Sequence, residues 1–209
     1  MKSVKFCILL ASIYCMVPVV AQTPVKSLYE DPTDIWGAYY KDTYNDLDRY
    51  VGTWKYINGS TSLTITLQKR TMQHYEDDYN NYYEDLLIGE YKYIENGVEK
   101  INTLPQLSAN LPSSYSYNIV GNIIIGPQSQ YCHGCGPMDR KVLLGFIDPN
   151  RDIMGFEPEM IFQRADAGSV QKLKLNFRTI SGRITIEGQT PAFTSYTVPF
   201  GEYLLVKQP

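Results

Sequence analysis

The residue types most capable of chemistry in this chain are Cys132-His133-Gly134-Cys135-Gly136, two thiols three positions apart around an imidazole. A redox Cys-x-x-Cys pair needs its first thiolate stabilised, usually by a helix N-terminus. Here Gly136-Pro137 and the strand-like Val142-Leu143-Leu144 follow, so no long helix is at hand. Haem attachment needs a histidine directly after the second cysteine, and Gly136 holds that place. Structural zinc wants four ligands, whereas Cys132, His133 and Cys135 supply three and the only other histidine is His74. The favoured reading is a loop-stapling disulfide between Cys132 and Cys135, with redox activity and metal binding as its alternatives. No metal and no cofactor are expected.

The run His74-Tyr75-Glu76-Asp77-Asp78-Tyr79-Asn80-Asn81-Tyr82-Tyr83-Glu84-Asp85 is the second candidate. Its oxygens could ligate calcium and its tyrosines could stack on sugar rings or on a partner. It lacks the glycine that a calcium loop needs for its sharp turn. A solvated hairpin loop is the expectation, with a cell-envelope protein or glycan as the alternative contact. Hydrolase machinery is hard to assemble: there is no Gly-x-Ser-x-Gly elbow and no His-Glu-x-x-His helix. Paired carboxylates could serve a glycosidase, but acids are common and their geometry is invisible in a sequence. No catalytic residue is assigned, and the chain is expected not to be an enzyme. Asn58-Gly59-Ser60 matches a glycosylation sequon that its turn role already explains.

These residues sit in an exported chain. Lys2 and Lys5 precede an apolar stretch over residues 6–20, and Val19-Val20-Ala21 offers a peptidase exit before Gln22. Residues 1–21 therefore read as a secretory signal that is removed, too short and poorly flanked to span a bilayer. Tyr14 before Cys15 is too large for a lipoprotein processing site. Removal takes two lysines, so 17 basic residues face 22 acidic ones, a net charge of −5. That balance gives no general attraction for nucleic acid and no polybasic hold on an anionic membrane. The remaining 188 residues suit one domain without a linker or a solenoid repeat. A periplasmic or secreted monomer is expected.

The elements that position the candidates are strands. Residues 22–49 form a turn-rich aromatic lead-in, in which Asp34 could cap a short helix and Trp36 is assigned to packing. Residues 50–209 form the main domain. Leu63, Ile65 and Leu67 alternate with Thr64, Thr66 and Gln68, and Leu173, Leu175 and Phe177 with Lys172, Lys174, Asn176 and Arg178. This is the period-two pattern of half-buried strands. Ile184 and Ile186 alternate with Arg183, Thr185 and Glu187 in the same way. Residues 86–94 form another strand, with Glu90 and Lys92 facing water, and Asn96-Gly97 makes a type I′ hairpin turn. The expectation is an all-β fold: an antiparallel up-and-down meander of about 8–10 strands, closed into a barrel to hide its edges.

Gly52-Thr53-Trp54 on the first barrel strand resembles the opening of lipocalin and fatty-acid-binding barrels. The resemblance implies that Trp54 plugs the closed end and that Gly52 lets the lead-in cross closely over it. The wider layout is similar to a group of small secreted proteins from flavobacteria and relatives, a domain-of-unknown-function family with lipocalin-like character. The matching features are the signal peptide, Tyr50-Val51-Gly52-Thr53-Trp54, Leu173-Lys174-Leu175-Asn176-Phe177 and residues 196–208. Many lipocalins stack a late-strand arginine over the tryptophan. Residues 202–207 hold none, which leaves Arg178 or Arg183 for the part.

The functional expectation is a non-catalytic barrel that binds a small, partly apolar molecule inside. Leu63, Ile65, Leu67, Leu173, Leu175, Phe177, Ile184 and Ile186 would point inward, because the residues between them need water. Barrels of this size either hold a ligand or fill themselves with side chains. The rival is an interaction module that uses the Tyr-rich acidic loop.

Overall fold

The computed structural model describes residues 23–30, 35–127, 129, 132, 135–136, 139–185, 187–188 and 190–209. The expected signal segment, together with Gln22, Asp34, His133, Gly134 and Ile186, lies outside them. The lead-in contributes β1 (Val25–Ser27), β2 (Tyr39–Lys41) and a 3-10 turn (Leu47–Tyr50). Then come β3 (Gly52–Asn58), β4 (Thr61–Glu76), β5 (Asn81–Glu95) and the short β6 (Val98–Asn102). The last five are β7 (Ile119–Ile125), β8 (Lys141–Phe146), β9 (Pro158–Arg164), β10 (Lys172–Thr179) and β11 (Gly201–Lys207).

Eight strands close a ring in the order β3-β4-β5-β7-β8-β9-β10-β11, every pair antiparallel, with β11 returning to β3. Outside the ring, β6 folds back on the C-terminal half of β5. β2 lies parallel to the N-terminal end of β5, and β1 lies parallel to β2. Turn chemistry sets the register. Asn96 and Gly97 take φ of +51° and +80°, the pair of positive values that a type I′ turn demands.

β5 is the exception to alternation. Leu87 and Tyr91 face the barrel core, while Leu86 and Ile88 on the other face pack with Tyr117 beneath the segment from residue 103 to 118. Glu90 was expected in water and is instead fully buried under that segment, accepting from Asn118 N (3.2 Å) and Nδ2 (2.7 Å). Lys92 pairs with Glu99 at 2.6 Å.

The ring closes between β5 and β7 through three pairs, Leu87↔Gly121, Ile88↔Val120 and Gly89↔Ile119. A Cβ on Gly89 would lie 2.6 Å from Leu67 Cδ2 and 3.0 Å from the Thr66 carbonyl. Ile119 Cβ, across the seam on β7, would stand at 3.3 Å, so a side chain at this position would crowd both neighbouring strands.

Both ends of the barrel are covered. At one end Trp54 is fully buried, and its indole N–H donates to the Tyr50 carbonyl (2.8 Å) at the end of the 3-10 turn. The Arg164 guanidinium and the Lys207 ammonium lie 5.3 and 5.4 Å from the indole ring centroid, a cation–π arrangement. Arg164 also donates to the Arg49 carbonyl (2.8 Å), tying the turn to β9. Arg178 and Arg183 do not play this part: Arg178 pairs with Glu159 across β9 and β10, and Arg183 lies beside the opposite mouth. Gly52, at φ +124°, has the Lys207 stem 3.0 Å from where a Cβ would stand. The side chain that crosses closely over it is thus from β11, not from the lead-in.

The opposite mouth is crossed by residues 147–157, 180–185 and 190–200. Tyr196 and Val198 are buried there, and the Phe177 ring meets Phe146 edge-on (4.7 Å) and Phe200 at a tilt (4.8 Å). Asp148 accepts from Thr197 N (2.7 Å), and Ile184 N donates to the Met154 carbonyl (2.9 Å), so the two loops hold one another. This corrects the expected strand around Ile184. The ring is complete once β10 pairs with β11, so residues 182–185 have no free edge to join, and Ile184 is exposed. Trp36 is 65% exposed rather than packed.

Trp54→Ala should lower stability by about 3–5 kcal/mol, the usual loss for a large buried aromatic, while Trp36→Ala should stay within about 0.5 kcal/mol. Denaturant midpoints at constant m-value check both. Gly89→Ala should also unfold earlier than wild type, because its methyl meets the Thr66 backbone as well as a side chain that can yield.

Candidate functional site

Leu63, Ile65, Leu67, Leu173 and Leu175 are fully buried and Phe177 nearly so. The fold brings these six together, but against one another and against Trp54, Tyr91, Phe146 and Phe162 in one cluster. Side chains thus occupy the barrel axis. Ile184 is outside this cluster, and Ile186 is outside the described residues.

A concavity of about 700 Å3 lies outside the barrel, between the lead-in and the connection from β7 to β8. It is built from buried carboxylates outward. Asp85 on β5 accepts from the Tyr39 hydroxyl, from Asp42 N (3.0 Å) and from Met72 N (3.0 Å). Met72 takes φ +52° where the register of β4 against β5 shifts, so a β-bulge turns that amide toward the carboxylate. Asp42 in turn accepts from Asp46 N (2.9 Å), Leu47 N (3.0 Å) and Lys69 Nζ (2.8 Å), which holds the start of the 3-10 turn.

That turn presents Asp46 and Arg49 to the concavity. Asp46 is 2% exposed, accepts from the Tyr29 hydroxyl at 2.6 Å and lies 3.5 Å from Arg49. Burial, and then the Asp46 carboxylate, push the Tyr29 hydroxyl up to about 12, against the pull of Arg140. Tyr44 meets Tyr29 edge to face at 5.7 Å and is 69% exposed. The far wall is Ile124 from β7, Pro127, and Arg140 just before β8. Tyr50 pins this wall to the turn by donating to the Arg140 carbonyl at 2.7 Å.

Cys132 and Cys135 are disulfide-bonded in the same β7–β8 connection, with Cα atoms 5.5 Å apart. Among the described residues, no group of three or more His, Cys, Asp or Glu side chains is placed to hold a metal ion. No helix of the described residues is long and apolar enough to cross a membrane.

The Tyr-rich run is not one loop but the outer end of the β4–β5 hairpin. His74 stacks on Tyr83 at 4.8 Å, and Tyr75 on Tyr82 at 5.1 Å, each pair facing across the two strands. Asp77 accepts from Tyr79 N (2.8 Å) and Asn80 N (2.7 Å), so it shapes the tip. At the base, Glu84 accepts from the Tyr115 hydroxyl and Asn122 Nδ2, both at 2.7 Å. Burial pushes the Glu84 carboxyl above its usual range, against these hydrogen bonds, and Asp85 beside it adds to the rise.

Residues 1–208 match the family described as a family of unknown function, DUF6705. The chain belongs to DUF6705. No curated protein and no solved structure matches it. For this DUF6705 chain the residues that build the concavity come from four distant stretches. Tyr29, Tyr44 and Leu47 are visible as lead-in aromatics and apolar residues, but no local pattern links Arg49 to Arg140 or marks Asp42, Asp46 and Asp85 as buried.

The raised Glu84 carboxyl gives a signed pH dependence. Its contribution to stability is full below its usual pKa and is lost as pH rises through the folded value. Glu84→Gln should therefore gain stability relative to wild type as pH rises from the usual carboxylate range toward neutrality. Paired denaturant melts across that range read the slope, and parallel curves would rule it out.

Proposed function

We propose that this protein is an exported, non-catalytic binding protein, and that it takes a small, partly apolar ligand in the concavity outside the barrel. The observation that carries this reading is the way the concavity is assembled. Its two walls are held by hydrogen bonds to buried carboxylates and by the Tyr50–Arg140 tie, while Tyr44 and Tyr29 remain partly open to solvent. Preformed, partly apolar hollows with a few fixed polar groups are what small-molecule sites require. The packed barrel is then the scaffold of the site rather than the container, and the chain acts as a monomer. The disulfide supports export, since such bonds persist in oxidising compartments.

A second reading rests on the outer end of the β4–β5 hairpin. Two stacked aromatic pairs, and Tyr79 at 86% exposure, offer flat faces of the kind that contact a glycan or an envelope protein.

Native mass spectrometry of protein purified from its own host should find a bound small molecule. Tyr44→Ala should remove it, whereas Tyr79→Ala should leave it in place. Binding should also raise the melting temperature with ligand concentration. Loss of binding on Tyr79→Ala with retention on Tyr44→Ala would instead select the hairpin.

Reduction of Cys132–Cys135 should weaken binding while shifting the melting temperature little. The bond closes a ring of four residues, far shorter than the loops whose entropy stabilises a fold strongly. Titrations with and without a phosphine reductant read both effects.

A further inference from the structure

We propose that a second site, separate from the concavity, lies under the connection from β6 to β7 and takes a small carboxylate between Arg70 and Tyr117. It stands whether or not the concavity binds a ligand. On the outer face of β5, Leu86 and Ile88 pack with the Tyr117 ring, and Arg70 on β4 pairs with Leu86. Asn110, Leu111 and Pro112 form the far wall of a hollow of about 210 Å3.

Two donors meet there without an acceptor of their own. Arg70 is part-buried, and among the described residues its guanidinium makes no ion pair, hydrogen bond or ring contact. Tyr117 is 2% exposed, yet its hydroxyl also makes no hydrogen bond among the described residues. That hydroxyl is not sealed from solvent, so the small open part of Tyr117 faces the hollow that the residue lines.

The neighbouring polar groups are already engaged. Ser114 Oγ donates to Gln73 Oε1 at 2.6 Å, and Gln73 Nε2 donates to the Thr71 carbonyl at 2.8 Å. In a regular strand Arg70 and Gln73 would point to opposite faces. The register shift between them puts both on the outer face, so the bulge in β4 builds this side of the hollow. Among the described residues, no Asp or Glu lines it.

These features select the occupant. A guanidinium only donates, through N–H groups fixed in a planar fork. The fork matches the two oxygens of a carboxylate, and the Tyr117 hydroxyl can donate to a further lone pair. A cation would be repelled, and a neutral amide would bring more donors to a place already rich in them. One guanidinium balances one negative charge, which favours a carboxylate over a doubly charged phosphate. The hollow is smaller than the roughly 300 Å3 at which drug-sized sites begin, so it suits a small acid.

Benzoate and benzamide share one ring and differ in the anion. In heteronuclear NMR titrations of the intact purified protein, benzoate should shift the Arg70 Nε–H signal saturably, and benzamide should not. Arg70→Lys should weaken benzoate at least about tenfold, since a point charge does not replace the fork. Tyr117→Phe should weaken it several-fold without lowering the melting temperature, because the lost hydroxyl bonds to nothing in the protein. Tyr44→Ala should leave the titration unchanged, which keeps the result independent of the concavity. A lower melting temperature with unchanged benzoate affinity in both the Arg70 and Tyr117 variants would make the two residues structural and overturn the proposal. Equal binding of the two probes, no shift at Arg70, or tighter binding of inorganic phosphate than of benzoate would overturn it too.

Discussion

Everything in this fold depends on one narrow seam. The barrel closes through three residue pairs between β5 and β7, and Gly89 keeps a side chain out of the tight space between Ile119 on β7 and Leu67 and Thr66 on β4. A longer seam is impossible, because β5 spends its N-terminal end on β2 and its C-terminal half on β6. The strand thus serves three neighbours along one edge, with β4 along the other. That double duty explains why both faces of β5 are apolar at Leu86, Leu87 and Ile88, and why a carboxylate such as Glu90 is buried beside them.

The outer layer is held differently from the core. Inside the barrel, apolar side chains interlock, and the few polar tips among them, such as the Trp54 N–H, bond to backbone carbonyls. Outside it, the lead-in docks through Asp42 and Asp85, two carboxylates that each accept several donors. Removing one partner from a buried ionic network typically costs about 3–5 kcal/mol, whereas an exposed pair such as Lys26–Glu30 contributes about 0.2–1 kcal/mol. The position of the 3-10 turn, and with it one wall of the concavity, is set by the buried carboxylates rather than by surface ion pairs.

How much of this was legible beforehand follows from the physics of each part. Alternation over residues 62–68 and 172–178 located β4 and β10, because a half-buried strand must sort its side chains by face. Asn96-Gly97 revealed its turn through backbone sterics alone. The same alternation misplaced Ile184, since periodicity reports a preference for extended chain and not the presence of a free strand edge. Trp54 was readable as an end plug, but its cations are Arg164 and Lys207, brought over the ring by strand tilt and closure that no local spacing encodes. The concavity was not legible at all. Its walls meet only after the Tyr50 hydroxyl reaches the Arg140 carbonyl, a contact between residues 90 positions apart.

The pairing of β11 with β3 carries a temporal consequence. Val206 and Lys207 complete the ring against Lys55 and Trp54, and Gln208 N donates to the Thr53 carbonyl at 2.8 Å. The first barrel strand therefore lacks one neighbour until the final strand has emerged from the ribosome. Hairpins such as β3–β4 can form early, but an incomplete ring exposes two open edges and Trp54 without its Lys207 cover. Such non-local closure is slow relative to local hairpin formation. A chain built this way cannot close its ring for as long as its C-terminal segment is withheld.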